Sequence, residues 1–145
     1  MAPLQKRALY SLVIGLVFAI ALIVVFITKS DVTTFDEDLG FRLIVYALWV
    51  GVPLAYLIVV NLTLRKPEQL DERDRLIMGR APKVQLLAVI FSLVAWVIVL
   101  TELYWDQGQV PVVFLTIIMI STIIISTLAQ SLGILIGYWR MGRND

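Results

Sequence analysis

The chain has 145 residues, 60% of them hydrophobic, with 12 basic and 11 acidic side chains and a net charge of +1. Its mean hydropathy of +0.91 lies far above that of an average soluble domain. It contains no cysteine and no histidine, which excludes disulfides, thiolate chemistry and metal or haem sites built from these residues. The composition therefore predicts one membrane domain, residues 1–145, with no metal and no cofactor.

Four apolar runs approach or exceed the roughly 20 residues that a membrane-spanning helix needs. They predict spans at residues 8–28, 39–64, 84–103 and 112–139. The first run is longer than the apolar core of a secretory signal, and no A-x-A cleavage pattern follows Phe26. We therefore expect a retained first span. The predicted fold class is all-α, a polytopic four-transmembrane-helix bundle of two antiparallel hairpins.

The loop between the first two spans is acidic, and Thr34 and Glu37 have the spacing of a capping box. Asp36, Glu37 and Asp38 are adjacent carboxylates, but no glycine-rich calcium loop accompanies them. A helix start is the favoured interpretation of this cluster, and a cation site is the alternative.

A polar segment, residues 65–83, separates the second span from the third. It is predicted either as a short amphipathic surface helix or cytoplasmic end of span three, or as a docking surface for a soluble partner. Pro82 disfavours helical geometry at Ala81, so a bend there would separate a loop helix from the span. The residues assigned to the docking hypothesis are Asp71, Glu72, Arg73, Asp74, Arg75 and Ile77.

Span four carries small and polar side chains along one face, and its two glycines form a G-x-x-x-G pattern. Glycine lets two helices approach closely, and hydroxyl or amide side chains hydrogen-bond between helices. Three interpretations stay open: an internal seam of the bundle, a homodimer interface, and a path for a polar ligand or ion. The residues concerned are Thr122, Ser126, Gln130, Gly133 and Gly137.

Glu102 is an acidic residue close to the interior of a predicted span. An ionisable side chain within the membrane is a functional hypothesis by default. However, Glu102 lies within a turn of the predicted boundary, from which its carboxylate can reach water. It is therefore a candidate ionisable site with a simpler interfacial alternative.

The charge distribution predicts the orientation of the chain. With four spans, both ends and the polar segment share one side, which then holds ten of the 12 basic residues. Because cytoplasmic loops carry an excess of lysine and arginine, both termini are expected in the cytoplasm and the protein in the inner (cytoplasmic) membrane. The basic residues outside the polar segment on this side are Lys6, Arg7, Arg140 and Arg143.

Two motifs resemble those of a group of small, uncharacterised four-span membrane proteins from bacteria and archaea. Residues 71–81 resemble its D-E-R-D-x-x-I-x-x-x-A signature before the third span, and residues 136–143 resemble its aromatic-arginine-glycine tail. Pro82 departs from the expected pattern. The resemblance implies a four-span fold without a known activity. Some such proteins are encoded beside small helix-turn-helix regulators, so it also implies a membrane-tethered regulatory role by analogy.

These observations favour a non-enzymatic membrane protein that acts through protein contacts, as an accessory subunit, a homo-oligomer or a membrane anchor for a regulator. Its expected partners are the lipid bilayer, itself or another membrane protein, and a soluble cytoplasmic regulator. Direct nucleic-acid binding is not expected, because acids accompany the arginines of the polar segment. The alternative function is a small transporter or channel with a polar path along span four. A lipid enzyme is disfavoured because no histidine is present as a base.

Overall fold

The computed structural model describes residues 2–29, 38–63 and 71–142. In these ranges the chain forms four helices: α1 (Pro3–Lys29), α2 (Leu39–Thr63), α3 (Glu72–Tyr104) and α4 (Val113–Gly142). All four are long enough and apolar enough to cross a membrane. The prediction of an all-α chain with four helices able to span a membrane is confirmed.

The helices alternate in direction, which gives the bundle two ends. The Asp71 end carries Ala2, Asp71 and Gly142, and the Asp38 end carries Asp38 and the link between α3 and α4. Helix α4 packs between α1 and α3, while α2 packs mainly on α1 and touches α4 much less. The order across the bundle is therefore α2, α1, α4 and α3.

Helix α2 begins where an aspartate can serve as its N-cap. Asp38 Oδ1 accepts hydrogen bonds from the backbone N–H groups of Gly40 at 2.8 Å and Phe41 at 3.2 Å. Those amides have no partner within the helix, so the carboxylate satisfies them and complements the helix dipole. The capping box predicted at Thr34 and Glu37 lies outside the described residues.

Helix α3 starts much earlier than the predicted third span. It runs without a break from Glu72 through Pro82 to Tyr104. Residues 72–83 of the polar segment therefore extend the span and are not a separate helix. Pro82 is exposed, and its ring is accommodated on the outside of the helix. A helix of 33 residues is about 50 Å long, well beyond the roughly 30 Å of hydrocarbon that it crosses.

Two apolar clusters hold the helices together, one towards each end. The cluster at the Asp38 end joins α2 to α4, with α1 side chains packed against it. The cluster at the Asp71 end joins α1, α3 and α4 and is formed by Leu4, Ala8, Ile77, Ala81, Ile134 and Tyr138. The start of α3 is thus part of the bundle's interior.

The link between α3 and α4 is short. The backbone N–H groups of Gln107 and Gly108 both bond the carbonyl of Tyr104, and Gly108 has a φ of 63°. Glycine suits this left-handed position because it has no Cβ to collide with the backbone. The turn reverses the chain, so α3 and α4 form the predicted antiparallel hairpin.

Candidate functional site

The residues around Asp71 themselves determine where α3 begins. Asp71 is the N-cap, with extended backbone angles, and its Oδ1 accepts a hydrogen bond from the N–H of Glu72 at 2.7 Å. Glu72 and Asp74 lie in the first turn, where negative charge is favourable to the helix dipole. Helix α3 therefore begins in the charged segment before the apolar span is reached.

Small residues bring α3 and α4 close together at this end. A Cβ added to Gly137 would lie 3.0 Å from Cγ2 of Ile77, and one added to Gly133 would lie 3.5 Å from the Cα of Ala81. Ile77 and Ala81 are 1% and 2% exposed as a result. The G-x-x-x-G pattern of α4 lies in the seam with α3 of the same chain.

A polar clamp adds to this seam. The hydroxyl of Tyr138 donates to Oδ1 of Asp74, and Nη2 of Arg73 donates to the backbone carbonyl of Tyr138 at 3.2 Å. The Arg73 guanidinium also lies 5.7 Å from the centroid of the Tyr138 ring. Asp74 is only 3% exposed. Because an unbonded buried carboxylate is costly, the Tyr138 hydroxyl is essential to its burial.

The opposite side of the α3 extension faces away from the bundle. We call this side the outer face of α3. Its residues are all exposed and recur at helical spacing: Glu72, Arg75, Leu76, Gly79 and Lys83. Leu76 is 59% exposed, and nothing lies within 4 Å of a Cβ added to Gly79. The outer face combines both signs of charge with one large apolar side chain.

The six residues assigned to docking therefore divide into two groups. Asp71, Glu72 and Arg75 are exposed, whereas Asp74 and Ile77 are buried against α4 and Arg73 is half-buried there. The expectation that Asp74 and Ile77 contribute to a docking surface is corrected, since packing on α4 removes both from contact with a partner.

Two of the polar residues predicted along α4 pair with side chains of other helices. Gln130 Oε1 accepts from the Tyr56 hydroxyl of α2 at 2.9 Å, and that hydroxyl accepts from Nη2 of Arg7 at 3.2 Å. Ser126 Oγ accepts from Nε2 of Gln85 on α3 at 2.6 Å. These bonds connect α4 directly to α2 and α3, and Arg7 of α1 joins the network through Tyr56.

Two buried hydroxyls remain without a hydrogen-bond partner in the part of the chain that the structure describes: Oγ1 of Thr122 and Oγ of Ser11. Glu102 is exposed near the end of α3. Gln130 lies 17 residues beyond the start of α4, about 25 Å along the bundle axis from the Asp38 end. The structure therefore does not bring Glu102 and Gln130 into one site.

Sequence reasoning missed Tyr56 and Gln85 as partners of the α4 face and Arg7 as a partner of Tyr56, and it included Tyr138 only in the aromatic-arginine-glycine tail. A tyrosine or glutamine within an apolar span needs a partner, which is the signal that could have identified Tyr56 and Gln85. Among residues 2–29, 38–63 and 71–142, no group of three or more carboxylates could hold a metal ion.

Comparison with models of protein families, with curated proteins and with solved structures finds no significant match to this chain.

Proposed function

We propose that this chain is a non-enzymatic integral membrane protein that acts through protein contacts made by the outer face of α3. In this proposal it lies in the cytoplasmic membrane with both termini and the Asp71 end in the cytoplasm. The support for the orientation is the excess of basic residues at that end.

The observation that carries the proposal is an exposed, charged helix face at the start of α3, whose opposite side packs on α4. Asp74, Ile77 and Ala81 fix one side of the α3 extension to α4, so the other side is presented in a defined orientation. A preorganised face loses less conformational entropy on binding than a mobile loop. The exposed Leu76 lies beside Arg75 and one turn after Glu72, so an apolar side chain is flanked by charges.

The arrangement of α4 gives less support to the transporter or channel alternative. Gln130 and Ser126 are both engaged by side chains of other helices. Polar groups that satisfy one another between helices are typical of a packed seam. A path along this face would require those hydrogen bonds to open.

A photo-cross-linking amino acid at Gly79 tests the proposal in native membranes. The position suits a new side chain because a Cβ added there meets nothing within 4 Å. We expect one specific protein adduct, and its identity distinguishes the forms of the proposal: a second copy, another membrane protein, or a soluble regulator.

The matched control places the same cross-linker at Gln107, which is exposed at the opposite end. The Gly79 adduct should be absent from the control and should weaken in an Arg75→Glu background. Cross-linking of lipid alone from Gly79, or the same proteins from both positions, would contradict the proposal.

A further inference from the structure

A cavity of about 180 Å³ lies in the groove between α3 and α4, near the Asp71 end. Arg80 of α3 and Arg140 of α4 both line it, and no acidic residue of the described ranges does. Gly133 and Gly137 add only backbone to its wall, and its remaining described side chains are apolar. The lining therefore has a formal charge of +2, in a space below the roughly 300–1,000 Å³ of a drug-sized pocket.

Neither arginine has an anionic partner that accounts for its charge. Both side chains are exposed, and neither makes a hydrogen bond or an ion pair with another described residue. The sequence has no carboxylate three or four positions from Arg80 or Arg140, the spacing at which ion pairs form along a helix. Arg75 differs, since Asp71 precedes it by four positions. Two guanidinium groups on one small cavity repel each other, and an anion between them relieves that repulsion.

The cavity lies on the water-facing side of the predicted third span. Gly137 meets Ile77 in this antiparallel pair, so Arg140, three residues later in α4, lies farther towards the Asp71 end than Arg80 does. Arg80 itself precedes residue 84, where that predicted span begins, by about one turn. Both arginines therefore lie at the level of the outer face, where soluble anions and lipid headgroups are both within reach.

We propose that Arg80 and Arg140 bind a phosphate monoester in this cavity. A guanidinium presents paired N–H donors in a planar arrangement that matches phosphate oxygens. A phosphate monoester carries a charge of about −1.5 to −2 at pH 7, which balances the two arginines, whereas a phosphate diester carries a single negative charge. The headgroup of phosphatidic acid and a soluble ester such as glycerol 3-phosphate both present this group.

The test is native mass spectrometry of the full chain in detergent, with phosphatidic acid and phosphatidylglycerol of the same acyl chains added in equal amounts. Phosphatidylglycerol is the matched diester. We expect the wild type to retain phosphatidic acid about tenfold better, the ratio that one additional charge-assisted hydrogen bond provides. Arg80→Gln and Arg140→Gln should each abolish this preference, and because both side chains are exposed the fold should be retained.

The matched control is Lys83→Gln. It removes an exposed cation of the same helix, three positions from Arg80 and outside the cavity lining, so the lipid preference should stay unchanged. A preference that survives Arg80→Gln or Arg140→Gln, or that Lys83→Gln lowers equally, would overturn the proposal.

Glycerol 3-phosphate distinguishes the two sources of the phosphate. Retention of phosphatidic acid against an equimolar amount of glycerol 3-phosphate supports a membrane lipid, and displacement supports a soluble ester. A soluble ester is also supported if the wild type shows no lipid preference but binds glycerol 3-phosphate saturably in calorimetry, with loss of that binding in both arginine variants. Absence of both the lipid preference and glycerol 3-phosphate binding would contradict the site itself.

Discussion

Gly137 and Gly79 lie in neighbouring helices at the same end of the bundle, and alanine should change stability in opposite directions at the two positions. At Gly137 the added Cβ would be 3.0 and 3.1 Å from the two γ carbons of Ile77, which is too close. Overpacking of this kind costs about 2 kcal/mol, and better helix propensity returns about 1 kcal/mol. We expect Gly137→Ala to lower the free energy of unfolding by about 1 kcal/mol.

Gly79 provides the matched comparison. Its added Cβ meets nothing within 4 Å, so only the gain in helix propensity remains. Gly79→Ala should raise the free energy of unfolding by about 0.5–1 kcal/mol. Titration of SDS into the protein in mild detergent, followed by far-ultraviolet circular dichroism, measures both variants. Equal stability changes for the two substitutions would refute the proposed α3–α4 seam.

A double-mutant cycle separates the cost of the steric clash with Ile77 from the gain in helix propensity. Ile77→Ala removes both γ carbons and leaves the Ile77 Cβ at 3.6 Å, an ordinary contact distance. In that background Gly137→Ala should become stabilising, although Ile77→Ala alone costs about 2–5 kcal/mol through its cavity. A Gly137→Ala effect that is the same in both backgrounds would show that Ile77 does not meet Gly137.

Two further predictions concern the polar contacts. Tyr138→Phe leaves the buried carboxylate of Asp74 without its hydroxyl donor and should lower the free energy of unfolding by about 2 kcal/mol. Tyr10→Phe, on an exposed side chain, should change it little. A negligible effect of Tyr138→Phe in the same SDS titration would contradict the clamp. Gln130→Leu removes the acceptor of the Tyr56 hydroxyl and should lower the free energy of unfolding by about 0.6 kcal/mol. If α4 is a packed seam, proton or ion flux into liposomes should be the same with and without this substitution.

Much of the fold follows from composition and periodicity. Long apolar runs determine where helices can cross a membrane, and the predicted second and fourth spans lie close to α2 and α4. The sequence left open whether residues 72–83 form a separate helix. The rule for Pro82 describes a local preference, whereas packing of Ile77 and Ala81 on α4 favours one continuous helix.

The candidate site was harder to predict because charge alone does not show which side of a helix is covered. The sequence of residues 71–75 predicts one exposed run of acidic and basic side chains. In the structure, however, Asp74 faces the bundle and Arg75 faces away from it. Only the position of Tyr138, more than sixty residues later, decides which carboxylate is buried. Pairings such as Tyr56 with Gln130 depend likewise on helix order, which periodicity does not specify.

Accessibility of single cysteines along the α3 extension tests the central claim most directly, because the natural chain contains no cysteine. Cysteines at Arg75, Leu76 and Gly79 should react rapidly with a membrane-impermeant maleimide in inside-out vesicles and slowly in right-side-out vesicles. Cysteines at Ile77 and Ala81 should be protected in both. Uniform labelling of all five positions would contradict packing of α3 on α4, and labelling only in right-side-out vesicles would contradict a cytoplasmic docking face.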